Sequence, residues 1–159
     1  MIIRTARPED AEAVAMIVNE VIDTTTITFT IERKSVDMVR DDIAARGPAF
    51  LVADRGGFAV GYASYFPFRS GPGYAWTKEH SIALAPLARG TGAGRALMTE
   101  LEAVARREGV HSLIAGVSGE NLDGRAFHAA MGFSEIATLP EVGFKFGRWI
   151  DLVLMQKRL

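Results

Sequence analysis

The chain has no cysteine among its 159 residues. That excludes disulfides, thiolate metal sites and a cysteine nucleophile. It also lacks an excess of charge of either sign, with 18 basic residues against 19 acidic ones. The basic footprint of a nucleic-acid-binding protein is therefore missing, and no nucleic-acid partner is expected. No uninterrupted apolar run approaches the roughly 18 residues of a membrane span. The opening residues Met1 to Asp10 turn acidic too early for a signal peptide. A cytoplasmic protein with no membrane partner and no metal is the expectation. Repeats, low-complexity tracts and linkers are absent as well, and the length suits one domain over residues 1–159.

What is present reads as a mixed α/β domain. Ile2 to Thr5 suits a strand, and Pro8 suits the first turn of a helix, where its missing N–H costs nothing. Val14, Ile17, Val18, Val21 and Ile22 then recur at helical spacing. The β-branched run Thr24 to Thr30 ends that helix. Ser35 is a plausible N-cap for a second helix carrying Val36, Val39 and Ile43, and Gly47-Pro48 stops it. Strands are expected at Ala49–Asp54, Phe58–Phe66, Ala75–Leu84, Ser112–Val117, Phe133–Ala137 and Trp149–Met155. Helices are expected from about Gly92 to Glu108 and from Asn121 to Met131, closed by Gly109 and Gly132.

The segment Arg89-Gly90-Thr91-Gly92-Ala93-Gly94 lies between a strand and a helix. The first N–H groups of a helix are unpaired and carry the positive end of its dipole. Glycines let backbone approach an anion closely, so such a junction can cradle a phosphate, with Arg89 and Arg95 adding charge. A flexible glycine-rich turn with no ligand fits the same letters. Two other phosphate loops do not fit. A P-loop requires Gly-Lys-Ser/Thr, and Gly94 is followed by Arg95 and Ala96. A dinucleotide fingerprint requires a third glycine where Leu97 stands.

Arg-x-x-Gly-x-Gly opening an amphipathic helix after a strand resembles the acetyl-CoA signature of the GNAT superfamily of N-acetyltransferases. Asn121 followed by Phe127-His128-Ala129-Ala130-Met131-Gly132-Phe133 resembles that family's Asn…Tyr-x-x-x-Gly-Phe segment. Tyr74 to Ser81, Gly143 to Trp149 and Thr26 to Phe29 are similar to the branch that contains phosphinothricin and methionine sulfoximine N-acetyltransferases. The resemblance implies a central, mostly antiparallel sheet flanked by helices and acetyl-CoA as co-substrate. It implies that Gly90, Thr91, Gly92, Ala93, Gly94 and Arg95 hold the pyrophosphate. The pantetheine arm would pair with Ile82, Ala83 and Leu84 where that strand splays from the one ending at Val117. Asn121 would bond the arm, although an Asn there also caps a helix well. A homodimer is implied too.

For the chemistry, an amine attacks a thioester only when neutral, so a base must take its proton. Glu79 is the first choice; pairing with Lys78 or an arginine is its plain structural alternative. His128 stands where many relatives carry the tyrosine that protonates the leaving thiolate, and imidazole can relay protons at neutral pH. His80 should point to the opposite strand face from Glu79 and reads as structural. His111 should be exposed. A backbone N–H near Leu84 would stabilise the oxyanion. Ser118 lacks a Gly-x-Ser-x-Gly setting, so direct transfer is expected rather than a covalent acyl-enzyme. Phe29, Tyr74, Trp76, Thr77 and Phe144 are expected around the acceptor, with Arg69, Lys78 or Arg148 available for its carboxylate. Acceptors still open are the α-amine of a small amino-acid analogue, a protein N-terminus and an amine antibiotic; a non-catalytic acyl-CoA-binding module is the remaining alternative.

Overall fold

The computed structural model describes residues 1–159. Seven strands form one sheet in the order β1-β2-β3-β4-β5-β7-β6. These are β1 (Ile2–Thr5), β2 (Phe50–Arg55), β3 (Phe58–Pro67), β4 (Thr77–Leu84), β5 (Ser112–Ser118), β6 (Ser134–Lys145) and β7 (Arg148–Arg158). Every neighbouring pair is antiparallel except β4 and β5. Four helices flank the sheet: α1 (Ala11–Thr24), α2 (Val36–Arg46), α3 (Ala93–Arg107) and α4 (Leu122–Ala130). The expected element order and architecture hold.

Strand alternation divides the core into two layers. Leu51, Ala53 and Ala63 face α3, whose stripe of Leu97, Met98, Leu101 and Ala105 is fully buried. Phe50 and Val52 point the other way, onto Val14 of α1 and Val39 and Ile43 of α2. Burying each large aliphatic side chain contributes about 1.5–3 kcal/mol, so these two stripes hold the helices to the sheet. Local signals set the helix starts. Ser35 Oγ accepts from the Met38 N–H at 3.1 Å. Before α1, Asp10 accepts two bonds from Arg4, at 2.8 and 2.9 Å, and one from the Arg7 N–H at 2.7 Å.

Three strands differ most from the sequence reading. β4 begins at Thr77 rather than Ala75, because Pro72–Tyr74 forms a 3-10 turn and Ala75 is helical at φ −59°, ψ −28°. β6 runs to Lys145 rather than stopping at Ala137, and β7 runs from Arg148 to Arg158. Pro140 and two register shifts hide β6 from a simple alternation rule. Both are tolerated because β6 is the edge strand. Phe146 and Gly147 close this hairpin with φ of 51° and 75°, the positive values of a tight two-residue turn.

Candidate active site

β4 and β5 pair only at Thr77–Ser112, Lys78–Leu113 and Glu79–Ile114. Beyond that point the strands part. β4 continues against β3, with Gly61 opposite Leu84, and β5 continues against β7. The splay opens a wedge in the sheet with unpaired β4 backbone along one side. It belongs to a cleft of about 670 Å³ whose wall includes Glu79 to Leu84, Arg89, Gly94, Gly116, Asn121 and His128.

At one end of the wedge lies the glycine loop. The backbone N–H groups of Gly90, Thr91, Gly92, Ala93, Gly94 and Arg95 make no hydrogen bond within the protein. Gly90 and Gly92 hold φ of 71° and 86°, and Thr91 Oγ1 donates to the Ala88 carbonyl at 2.6 Å, fixing the turn. Gly94 packs so closely on Phe127 that a Cβ would sit 3.3 Å from its ring. A run of free N–H groups at the positive end of a fifteen-residue helix fits a pyrophosphate. Arg89 reaches the cleft wall, whereas Arg95 is exposed outside it. Asn121 Oδ1 accepts from the Gly124 N–H at 2.9 Å, so it does cap α4. That bond uses only the oxygen, and the side-chain amide N–H groups stay free beside the cleft.

At the crotch of the splay stands Glu79. Its Oε1 lies 3.5 Å from where a Cβ on Gly116 would be, so the carboxyl rests over bare β5 backbone. It has no ion-pair partner; neither Lys78 nor an arginine reaches it. Half-burial alone pushes its pKa upward. A carboxylate so placed binds a proton more readily than a surface one, as a general base near neutrality requires.

His80 points to the other face of the sheet, as expected, but it is not isolated from the site. Its Nε2 lies 2.9 Å from Nε2 of His128, and both rings pack on Phe133. His128 Nδ1 lies 2.8 Å from the Gly124 carbonyl, which can only accept. His128 therefore carries its proton on Nδ1, and the proton between the rings belongs to His80. Burial pushes His80 down to about 3 and also lowers His128. Both imidazoles are neutral at pH 7, and His80 Nδ1 is buried without a partner. In this arrangement neither nitrogen of His128 has a proton free for the wedge. This pairing joins positions 48 residues apart, and no local pattern announces it.

The acceptor side is less faithful to the sequence reading. Ser81 and Glu79 face α1 and α2, and there Thr28, Phe29, Lys34, Arg46 and Phe66 line the cleft. Of the expected acceptor residues only Phe29 is among them. Tyr74 and Trp76 project from the loop before β4, Trp76 being 61% exposed. Thr77 is engaged at the start of the β4–β5 pairing. Phe144 is 54% exposed and packs on Trp149 at 4.9 Å between ring centroids. The three cations considered for an acceptor carboxylate also lie elsewhere. Arg148 is bound to Glu120, Arg69 stacks on Phe68, and Lys78 is outside the cleft wall. Lys34 and Arg46 are inside it, both paired with Asp42 at 2.7 and 3.8 Å. His111 is exposed, as expected.

Comparison with known proteins agrees with this geometry. Residues 14–133 match the model of the acetyltransferase (GNAT) family. The L-methionine sulfoximine/L-methionine sulfone acetyltransferase of Salmonella typhimurium is 36% identical over 162 residues, covering 100% of this chain and 95% of that one. The crystal structure of ribosomal-protein-alanine N-acetyltransferase from Brucella melitensis matches with a TM-score of 0.95 at 41% identity and covers 100% of both chains. A GNAT superfamily phosphinothricin acetyltransferase from Sinorhizobium meliloti, solved in complex with acetyl-CoA, matches with a TM-score of 0.93 at 31% identity, covering 99% of this chain and 88% of that one. With the split sheet, the free N–H cradle and full-length relatives in agreement, the chain belongs to the GNAT family of N-acetyltransferases.

Proposed function

We propose that this N-acetyltransferase moves the acetyl group of acetyl-CoA to the α-amine of a small amino-acid analogue of the methionine sulfoximine, methionine sulfone and phosphinothricin kind. The observation that carries the reading is the unpaired Glu79 at the crotch of the β4–β5 splay, with the glycine cradle at one end and the Phe29-lined cleft on the α1–α2 face. Gly90 to Arg95 hold the pyrophosphate, and Ile82 to Leu84 offer backbone to the pantetheine arm. Asn121 donates to that arm through its free amide.

Glu79, directly or through one water, takes a proton from the acceptor ammonium. The neutral amine then attacks the thioester carbonyl, and the oxyanion meets a backbone N–H on the open edge of β4. Collapse breaks the carbon–sulfur bond. The second nitrogen proton passes through water in the wedge to the departing thiolate. His128, its Nε2 held by His80, shapes the wedge wall and leaves proton delivery to water.

The test is release of free CoA thiol with methionine sulfoximine, methionine sulfone, phosphinothricin and ordinary L-amino acids. Turnover with none of them, with acetyl-CoA still bound, would sink the acceptor assignment. A second acceptor, the α-amine of a protein N-terminus, is favoured by the 41% identity to the Brucella melitensis enzyme. An N-terminal alanine peptide in the same panel separates the two. No helix is long and apolar enough to cross a membrane. We place the protein in the cytoplasm, and we read it as a homodimer on the support of the exposed aromatics Phe144, Phe146 and Trp149 along the β6–β7 hairpin. Light scattering that gives a monomer mass would exclude the dimer.

A further inference from the structure

Lys145, near the end of β6, is buried to 2% exposure, yet it has no carboxylate partner. Its Nζ donates to the carbonyls of Thr25 and Thr28 at 2.6 and 3.0 Å, and it lies 5.1 Å from the centre of the Phe146 ring. A buried ammonium is costly unless it is hydrogen-bonded; Asp23 at the end of α1 acts on this one only through space, and its bonded partners all come from one segment, the irregular stretch between α1 and α2. Two other ties fix the same stretch to the same hairpin. The Phe29 ring covers Gly143 so tightly that a Cβ there would come within 2.5 Å of it. Thr26 Oγ1 donates to Glu120 at 3.2 Å, and Arg148 grips that carboxylate at 2.6 and 3.1 Å. The far end is closed by Asn19, whose side chain bonds the Lys34 carbonyl and N–H at 2.9 and 2.8 Å. Between these anchors, Ile27 to Thr30 line the cleft on the Glu79 side of the sheet.

We infer that Lys145 is a positioning residue for the acceptor: it clamps the Thr25–Thr30 segment onto the β6–β7 hairpin and holds Phe29 as the acceptor-side wall. The donor side has its own supports: the glycine loop opens α3, and β4 pairs with β3. The inference rests on the acceptor entering on the α1–α2 face, as proposed above. It gives the Gly143 to Trp149 stretch a function without direct substrate contact, since its exposed aromatics lie outside the cleft.

The test has a structural arm and a kinetic arm. In Lys145→Met, chymotryptic cleavage after Phe29 should become at least tenfold faster while cleavage elsewhere is unchanged. Unchanged cleavage after Phe29 would overturn the clamp whatever the enzyme's substrate. In steady-state assays with the best acceptor of the panel, the acceptor KM should rise tenfold or more, with the acetyl-CoA KM within twofold of the parent. Gly143→Ala, which displaces Phe29 without touching the charge, should reproduce this split and should add nothing on a Phe29→Ala background. The same pair of variants decides the question if Lys145→Met does not fold. Acceptor and acetyl-CoA KM rising together, or fully additive Gly143 and Phe29 effects, would overturn the inference. Absence of turnover in the parent protein would instead strike the acceptor assignment, leaving the cleavage arm to judge the clamp.

Discussion

Lowering the pH should destabilise this protein through His80, by an amount the structure allows to be worked out. The ring is buried, shares its one proton with His128, and has no acid nearby to favour a second proton. Its pKa is pushed from 6.5 down to about 3. The unfolded chain therefore binds a proton that the native chain refuses. The stabilisation is complete above the unfolded value and is lost progressively as pH falls from about 6.5 toward about 3. Between pH 7.5 and 5.0 the linkage integral is about 2 kcal/mol for His80 alone. The lowered pKa of His128 acts in the same direction. Glu79, with its raised pKa, acts weakly in the opposite one, gaining stability as pH falls. Urea titrations at pH 7.5 and 5.0 on the parent and on His80→Phe measure the difference. Phe keeps the contact with Phe133 but cannot titrate, so the variant should lose about 2 kcal/mol less than the parent over this interval. Equal losses in the two proteins would show that His80 is not held neutral, and the tautomer assignment of the pair would fall with it.

Glu79→Gln should lower kcat/KM by about 10²- to 10⁴-fold near neutrality. It should also remove the fall in rate that the parent shows as pH drops through the raised Glu79 pKa; a full rate with an unchanged profile excludes Glu79 as the base. His128→Phe should stay within about tenfold of the parent kcat, because water serves the thiolate, whereas a loss of about 10² or more would restore His128 as a proton donor. Asn121→Asp should preserve the α4 cap and the thermal midpoint while raising the acetyl-CoA KM, since only the amide donor is removed. Asn121→Ala should add a stability loss of about 1 kcal/mol, read from denaturant midpoints.

Legibility in the sequence followed the range of the interactions. The glycine loop, the amphipathic α3 and the Ser35 and Asn121 caps depend on neighbours within a few residues, and all were readable. Glu79 was readable as a strand residue beside the acetyl position, but its lack of a partner was not, because Gly116 comes from another strand. The His80–His128 bond and the Lys145 clamp span 48 and about 120 residues and leave no periodic trace. Tyr74, Trp76 and Phe144 sit in motifs that pointed to the acceptor, yet their loop and hairpin hold them outside the cleft. Burial of a lysine runs against composition rules, so Lys145 could only be found in three dimensions.

A transfer in which donor and acceptor meet in one cleft, with Glu79 between them and no covalent intermediate, passes through a ternary complex. Initial rates measured over a grid of acetyl-CoA and acceptor concentrations test it most directly. Double-reciprocal lines should intersect, as a ternary complex demands. Parallel lines would mean that CoA leaves before the acceptor binds, and direct transfer across the β4–β5 splay would be contradicted.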